Sequence, residues 1–458
     1  MRAGVPSNWQ SVQIGAVAQV VGGGTPPSKD PANFLPPGDG VPWLTPADLS
    51  GYRDQLIARG ARDLSAVGLS ACSAKRMPAG AVLFSSRAPV GYVAIASTPG
   101  TTTNQGFKSF VFPAGIEPRF AYHQLKHLKP VAEAMATGTT FKELSGGAAA
   151  KLPFLVAPTA EQQRIADKLD TVLARVDACH DRLARVAPLL KRFRQSVLAA
   201  ATLGRLTEDW RRGEHFRTTL ERFSELVAES LVGLVRAADE QSVLAEGLVP
   251  YLKMNNISEE WGHSSGGLVG VRCSADEIAR YALMPGDWLF NTRNSVELVG
   301  KSCVWKGDPV VFNNNILRAR FNQKATPDFV EVWFRSPSGR AALASIKSAT
   351  TSVAAIYQKS LFAVRLDLPP VEEQTEIVRR VETLFAFADR LKARLAQAQT
   401  AVGRLTPSLL SKAFRGELVP QDPADEPATE LLRRLSANTS PADGALKPRR
   451  RNVGKSSA

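Results

Sequence analysis

The sequence predicts an α+β protein built by internal duplication: two mixed, β-rich globular domains separated by two long helices that form an antiparallel coiled coil about a pseudo-twofold axis. Three observations carry this expectation. The stretch PTAEQQRIADKLDTVLARVD at Pro158 returns as PVEEQTEIVRRVETLFAFAD at Pro370. Both copies place apolar residues at alternating steps of four and three, the heptad pattern of paired helices. The stretches before each copy hold short apolar runs broken by Gly, Pro, Asn and Ser, which read as strands.

The first domain is expected over residues 1–157, with strand candidates AVLFSS, GYVAIAS and FKSFVF and a helical window near 120–135. The first long helix follows over 158–206. Its apolar seam runs through Ile165, Leu169, Val172, Val176, Cys179, Leu183, Val186, Leu190, Phe193 and Val197. Thr159 with Gln162 three residues on makes a capping box. Pro188 interrupts the late part of the helix and Gly204 ends it. The second domain is expected over 207–368, with a core starting near 222 as the alternative boundary. It holds DWLFNT, KSCVW and AVRLDL and a helical window near 327–345. The second long helix covers 369–420, with a seam of Ile377, Val381, Leu384, Ala388, Leu391, Leu395, Ala398, Val402, Leu405 and Leu409. Glu372 and Glu373 stand in its first turn, Pro407 interrupts it, and Gly416 ends it. Residues 421–458, ending in KPRRRNVGKSSA, read as a flexible basic tail.

A constant shift of 212, Pro158 onto Pro370, aligns the two copies without a gap as far as Leu206 and Leu418. Glu161-Gln162 then meet Glu373-Gln374, Asp177 meets Asp389, Arg192 meets Arg404 and Gly204 meets Gly416. Register kept over about 50 residues marks a duplication. Weaker blocks match between the domains. VPWLTPADLS at Val41 pairs with VPYLKMNNIS at Val249, and MPAGAVLFSSR at Met77 with MPGDWLFNTR at Met284. Asn104-Gln105 falls where Asn314-Asn315 does, and the GTT at Gly138 echoes the ATT at Ala349. The domains diverge while the helices stay similar.

The 458 residues leave room for two or three domains, and a chain 44% hydrophobic and 22% charged can bury ordinary cores. Lys and Arg number 57 against 43 acids, a net charge of +14 that calls for a polyanionic partner, nucleic acid ahead of an acidic membrane surface. No apolar run approaches the ~18 to 20 residues that span a bilayer. The opening MRAGVPSNWQ lacks a signal pattern, so a cytoplasmic location is expected. Cys72, Cys179, Cys273 and Cys303 are scattered without CxxC spacing and read as reduced thiols, Cys179 packed in the seam.

Catalytic signatures fall short. Gly300-Lys301-Ser302 resembles the end of a phosphate-binding loop, but the required earlier glycine is replaced by Ser295, and an expected strand follows where a helix should. GGGTPP at Gly22 runs into two prolines and reads as a flexible loop. His123 and His127 stand four apart on one helix face, the spacing of a zinc protease pair. Gln124 replaces the glutamate base and no third ligand is evident, so an ordinary helix face is the expectation. There is no serine-nucleophile motif, no dinucleotide turn and no Asn-Pro-Pro-aromatic motif. No catalysis, metal or cofactor is expected in this chain.

What remains is a set of basic and amide side chains suited to phosphates and base edges. Arg87 in FSSRAPVG and Arg293 in FNTRNSVE sit at equivalent places just after an apolar strand. Lys142 behind GTTF, Lys253, Asn255 and Asn256, and the Asn313, Asn314 and Asn315 cluster are the other candidates. Taken singly, each is more ordinarily a solvated surface residue. The set is stronger than its members.

Taken together, the chain resembles the specificity subunit of type I restriction-modification systems. The features that carry this are the two-domain, two-helix duplication, the helix entries LPFLVAPTAEQQRI and LPPVEEQTEI, the helix ends FRQSVLAAATLGRL and LLSKAFRGEL, and the MPGDWLF block. The resemblance covers almost all of the chain apart from the tail, although the lead-in TTLERFSELVAESLVGLVRAADEQ departs from the opening of the first half. It implies two target-recognition domains, each reading one half of a split double-stranded DNA site. The helices would then act as spacer and as docking ground for two methyltransferase subunits. About 40 helical residues at ~1.5 Å each span roughly 60 Å, compatible with half-sites ~34 Å apart. S-adenosylmethionine, ATP and Mg would belong to the modification and restriction subunits. The alternative is a coiled-coil scaffold or RNA-binding adaptor.

Overall fold

The computed structural model describes residues 5–438 apart from 88, 139–141, 259–260, 265 and 350–352. The first strands are β1 (Gln10–Gln13), β2 (Gln19–Gly22), β3 (Val41–Leu44), β4 (Leu56–Ile57), β5 (Val82–Ser86), β6 (Val90–Ala96), β7 (Thr102–Thr103), β8 (Lys108–Val111) and β9 (Pro153–Val156). Helices α1 (Pro118–His127) and α2 (Gly146–Ala150) precede β9, and α3 (Thr159–Ala184) and α4 (Val186–Thr202) follow it. The next strands are β10 (Thr219–Arg222), β11 (Val227–Val232), β12 (Val249–Leu252), β13 (Trp288–Asn291), β14 (Arg293–Asn294), β15 (Ser302–Val304), β16 (Val311–Phe312), β17 (Ile316–Phe321), β18 (Ser348–Ala349), β19 (Ala354–Ala355) and β20 (Arg365–Leu368). Among them lie α5 (Pro327–Arg335), α6 (Pro337–Ile346) and α7 (Gln358–Phe362), and after them α8 (Val371–Gly403), α9 (Leu405–Ala413) and α10 (Ala428–Asn438).

The chain divides into two compact units, Met1–Asp181 with Gln399–Ala458, and Arg182–Ala398. In the first, the main sheet runs β2-β8-β5-β6-β4. In the second it runs β11-β17-β13-β15. β5 and β13 are inner strands and bury every side chain, the apolar ones and also Ser85, Ser86 and Asn291 at their ends. A parallel pair recurs in both units, Trp43 opposite Thr102 and Tyr251 opposite Val311. So does a two-stranded ribbon, Gln10 opposite Val156 and Thr219 opposite Leu368. The second ribbon starts at Thr219, a few residues before the alternative boundary near 222.

Both long helices break where proline predicts. A proline ring collides with the carbonyl four residues back, so α3 stops at Ala184 ahead of Pro188 and α8 stops at Gly403 ahead of Pro407. α8 has 33 residues against 26 in α3, one heptad more. Gly204 and Gly416 turn the chain at φ of 69° and 73°, as expected for helix ends. A Cβ at Gly204 would lie 2.2 Å from the Phe216 ring.

The apolar seams serve the globular cores as well as any helix partner. In the first unit Ile165, Leu169 and Leu173 of α3 share a core with Trp9, Phe120 and Phe154, and with Leu410 and Phe414 near α9. In the second, Val197 and Leu198 of α4 and Ile377, Val381 and Phe385 of α8 join Trp288 and Phe329. The buried stripe therefore follows the helix period. Leu173 and Phe385 are buried where the seam had placed Val172 and Leu384, which are half-buried, as are Leu183 and Leu391. Cys179, expected in the seam, is exposed. Part of the expected flexible tail is helical: α10 buries Ala428 and Leu431 against the first core, and Ala428 N–H donates to Asn8 O at 2.9 Å.

The repeated Glu-Gln pair explains why the helix entries stay alike. Gln162 donates through Nε2 to Ala157 O (2.8 Å) and Gly115 O (3.3 Å) and accepts at Oε1 from Glu117 N–H (2.9 Å). Gln374 does the same with Pro369 O (2.8 Å), Lys324 O (2.8 Å) and Thr326 N–H (2.9 Å). Both amides are fully buried and tie the start of a long helix to the turn that opens α1 or α5. The capping box expected of Thr159 and Gln162 does not form, because Gln162 is spent on this clamp and the Thr159 hydroxyl donates to Gly115 O at 3.2 Å. The adjoining glutamates are buried too. Glu161 accepts from Trp9 Nε1 (2.9 Å) and Gln421, and Glu373 from Thr207 Oγ1 (2.6 Å) and Arg211 (2.5 Å). Burial pushes the Glu161 carboxyl up, against the pull of the Trp9 and Gln421 bonds.

Gln374→Leu strands buried backbone groups, so we expect it to cost about 2–4 kcal/mol of unfolding free energy. A denaturant titration reads this directly, with exposed Glu372→Gln as the control expected to shift by less than ~0.5 kcal/mol. Equal midpoints for the two variants would remove the clamp's assigned role.

Candidate nucleic-acid interface

The two candidate arginines occupy equivalent places. In the first unit β5 ends at Ser86, and Arg87 pairs in an antiparallel bridge with Glu143, which also bridges Thr137. Leu144 N–H donates to Ser86 O at 2.9 Å. In the second unit β13 ends at Asn291, Arg293 pairs with Ala355, and β19 turns back onto β18. Ile356 N–H donates to Thr292 O at 2.9 Å, the counterpart bond. In both units an inner strand thus passes the residues just beyond its end onto a hairpin lying just before α2 or α7. Thr139, Thr140, Thr350 and Thr351 of the GTT and ATT segments lie outside the described residues.

Charge differs between the two ladders. Glu143 sits 3.7 Å from Arg87 and 3.6 Å from Lys108, and Lys142 beside it is exposed. Arg293 is exposed and makes no side-chain hydrogen bond or ion pair among the described residues. Lys347 reaches back to Val296 O at 2.7 Å and pins the loop after Arg293. Glu143, Lys108 and Lys347 had not been singled out. The signal that finds Glu143 is the 212 shift carried further upstream, where it falls on Ala355, α2 on α7 and β9 on β20 without a gap; Lys108 and Lys347 carry no such signal.

The remaining candidates fall into adjoining turns of the second unit. Asn313 N–H donates to Leu252 O at 3.0 Å, and Asn315 O accepts from the Thr292 N–H (2.8 Å) and hydroxyl (2.9 Å). Asn255 is exposed, while Lys253, Asn314 and Asn315 are half-buried. Lys253 is tied through Nζ to Gln241 Oε1 at 3.1 Å. Two candidates are corrected. Asn256 is 2% exposed and spends its amide on Ser264 O (3.2 Å), Gly266 O (3.1 Å) and Lys253 N–H (2.9 Å), so no polar atom of it is free for a base. It does the work that Asp48 does on Thr45 N–H at 2.7 Å in the first unit. Asn313 closes its own turn on Asn315 N–H (2.9 Å) and donates to Tyr251 Oη (2.8 Å), as Asn104 closes on Gly106 N–H (2.8 Å). Asn104 therefore matches Asn313, one residue earlier than expected.

The other sequence features resolve as follows. Lys301 leads into β15, a strand, so the phosphate-loop geometry is absent there. His123 Nε2 lies 2.6 Å from Asp170 Oδ1, and His127 stacks on Phe414 at 5.4 Å. Arg119 adds bonds to Asp167 (2.8 Å) and Asp170 (3.1 Å), so α1 is latched to α3. In the second unit Lys306 holds Asp328 (3.0 Å) and Glu382 (2.9 Å) in the corresponding place. Burial lowers the His123 pKa below the ordinary imidazole value, against the pull of Asp170. Burial alone would raise the Asp170 carboxyl, but the bonds from His123 and Arg119 outweigh it and hold it low. No cluster of three or more metal-binding side chains occurs among the described residues. The second unit also contains a groove of about 820 Å³ beside α4 and α8, lined by Phe385 and Leu395 and by Lys191, Arg194, Lys301 and Lys392.

A model of the type I restriction modification DNA specificity domain matches residues 6–186. The type I restriction enzyme EcoKI specificity subunit of Escherichia coli strain K12 is 36% identical over 312 residues, 65% of this chain and 66% of that subunit. The EcoBI specificity subunit of Escherichia coli is 31% identical over 366 residues, 73% of this chain and 74% of that one. Among solved structures, the HsdS subunit from Thermoanaerobacter tengcongensis shares the fold with a TM-score of 0.58 at 18% identity, over 90% of this chain and 98% of that one.

Asn256→Ala should lower stability by about 1–3 kcal/mol, since three backbone groups lose their partner. It should leave the salt dependence of any duplex binding unchanged; a binding defect at full stability would restore Asn256 as a base reader. A depressed His123 pKa means that the unfolded chain takes up the proton first. The stability tied to neutral His123 is then present above ~6.5 and lost as pH falls through that value toward the lower folded pKa. The denaturation midpoint of the native protein should fall between about pH 7 and 5.5 more steeply than that of His123→Gln. Parallel pH profiles would contradict it.

Proposed function

Because this chain belongs to the family of type I restriction enzyme specificity subunits, we propose that its two units read the two halves of a bipartite, asymmetric site in double-stranded DNA. The observation that carries this reading is the equivalent place of Arg87 and Arg293, each just past an inner strand and paired on a matching ladder of its unit. Guanidinium groups there can take phosphates or the O6 and N7 edge of guanine. The recognition domains lie within residues 1–157 and 207–368, and the matched Glu-Gln clamps support their origin by duplication.

In this reading the two long helices pair as an antiparallel coiled coil, space the half-sites and dock two methyltransferase subunits. Within the second unit, the bonds from Arg380 to Leu206 O and Asp209 and from Arg194 to Asp389 support an antiparallel course of α4 and α8. The basic and apolar groove beside those helices supports docking of a partner helix. S-adenosylmethionine, ATP and Mg belong to the modification and restriction subunits, and the chain itself contributes recognition without catalysis. This reading places its action in the cytoplasm with those subunits; no helix among the described residues is long and apolar enough to cross a membrane.

The purified chain is expected to bind duplex DNA weakly with steep salt dependence and to become selective only with methyltransferase subunits. Exchanging residues 1–157 for those of another such subunit, with the Glu161-Gln162 clamp retained, should change one half of the motif mapped from methylated adenines. An unchanged motif, or capture of RNA without duplex selectivity, would defeat the reading.

A further inference from the structure

The ladders that carry Arg87 and Arg293 share a backbone but not a chemistry. The residue opposite Arg87 is Glu143, whereas the residue opposite Arg293 is Ala355. Lys142 likewise stands where the second unit has Ala354, since Leu144 and Ile356 make the counterpart bonds to Ser86 O and Thr292 O.

A carboxylate in this position is unusual for a surface meant to approach DNA. It repels phosphates, and its own cations hold it loosely. Arg87 and Lys108 lie 3.7 and 3.6 Å away, and the Glu143 side chain keeps 42% of its exposure. Charge-assisted bonds that satisfy a carboxylate are shorter, about 2.7–2.9 Å. Glu143 therefore retains acceptor capacity directed outward, in a local field that the two cations keep positive on balance. In a major groove such an acceptor suits one feature, the exocyclic amino group on cytosine N4 or adenine N6, whereas an arginine alone donates to guanine.

Resting on the DNA-reading function above, we propose that Glu143 is a specificity-determining residue of the first unit that accepts from an exocyclic base amino group beside the contact made by Arg87, while the second unit reads the corresponding place with Arg293 alone as a donor.

The test maps methylated adenines made by the full chain assembled with methyltransferase subunits. Glu143→Ala should raise modification of sites altered at one base pair, in the half-site of the first unit, by roughly ten- to a hundredfold. The identity of that base pair distinguishes cytosine from adenine. The other half-site is the internal control for folding and assembly and should be unchanged. Ala355→Glu supplies the reciprocal arm and should alter only the half-site of the second unit. An unchanged motif for Glu143→Ala overturns the proposal, and so does an equal loss of methylation at all sites, which would make Glu143 a structural residue. A wild-type complex that yields no bipartite motif would instead count against the DNA-reading function itself.

Discussion

A buried amide governs this molecule. Gln162 and Gln374 each satisfy three backbone groups that would otherwise be stranded at the junction of a globular domain and a helix. An unpaired buried polar group costs about 1–3 kcal/mol, so a side chain that covers three at once is hard to replace. Glutamate would bring charge without the two donors, and asparagine would fall short by a methylene. That geometry accounts for the helix entry reading almost the same twice in a chain whose domains have drifted apart.

Drift elsewhere is tolerated because the backbone asks for a role and several residues can fill it. The turn after β3 is capped by Asp48, and the turn after β12 by Asn256, each accepting from the backbone N–H three residues back. α1 is latched to α3 by Arg119 between two aspartates, and the matching latch in the second unit is a lysine from the loop after β15, Lys306. Divergence of this kind leaves the frame intact and frees the outward-facing ladder positions to vary. The contrast of Glu143 with Ala355 belongs to that free set.

The legible part of the sequence was the part governed by local periodicity. The helices, their proline breaks and their glycine ends follow from spacing alone, as do the inner strands β5 and β13. Legibility failed where a side chain answers to a distant one. The heptad reading put Val172 and Cys179 inside, but α3 also packs on Phe120 and Phe154, and that curved core selects Leu173 and leaves Cys179 outside. Asn256 looked like a base reader because its identity suits one, while its burial depends on the backbone of Ser264 and Gly266. Glu143 escaped notice because the arginine it opposes lies far upstream.

One consequence follows from the discontinuous first unit, which joins Met1–Asp181 to Gln399–Ala458. During synthesis the second unit is complete in one uninterrupted stretch, whereas the first waits for Leu410, Phe414 and Leu431 to leave the ribosome before its core can close. The earliest-made domain is thus the last to finish. A message broken before its end yields a protein with an open apolar face on the oldest part of the chain, the kind of surface that chaperones and proteases act on.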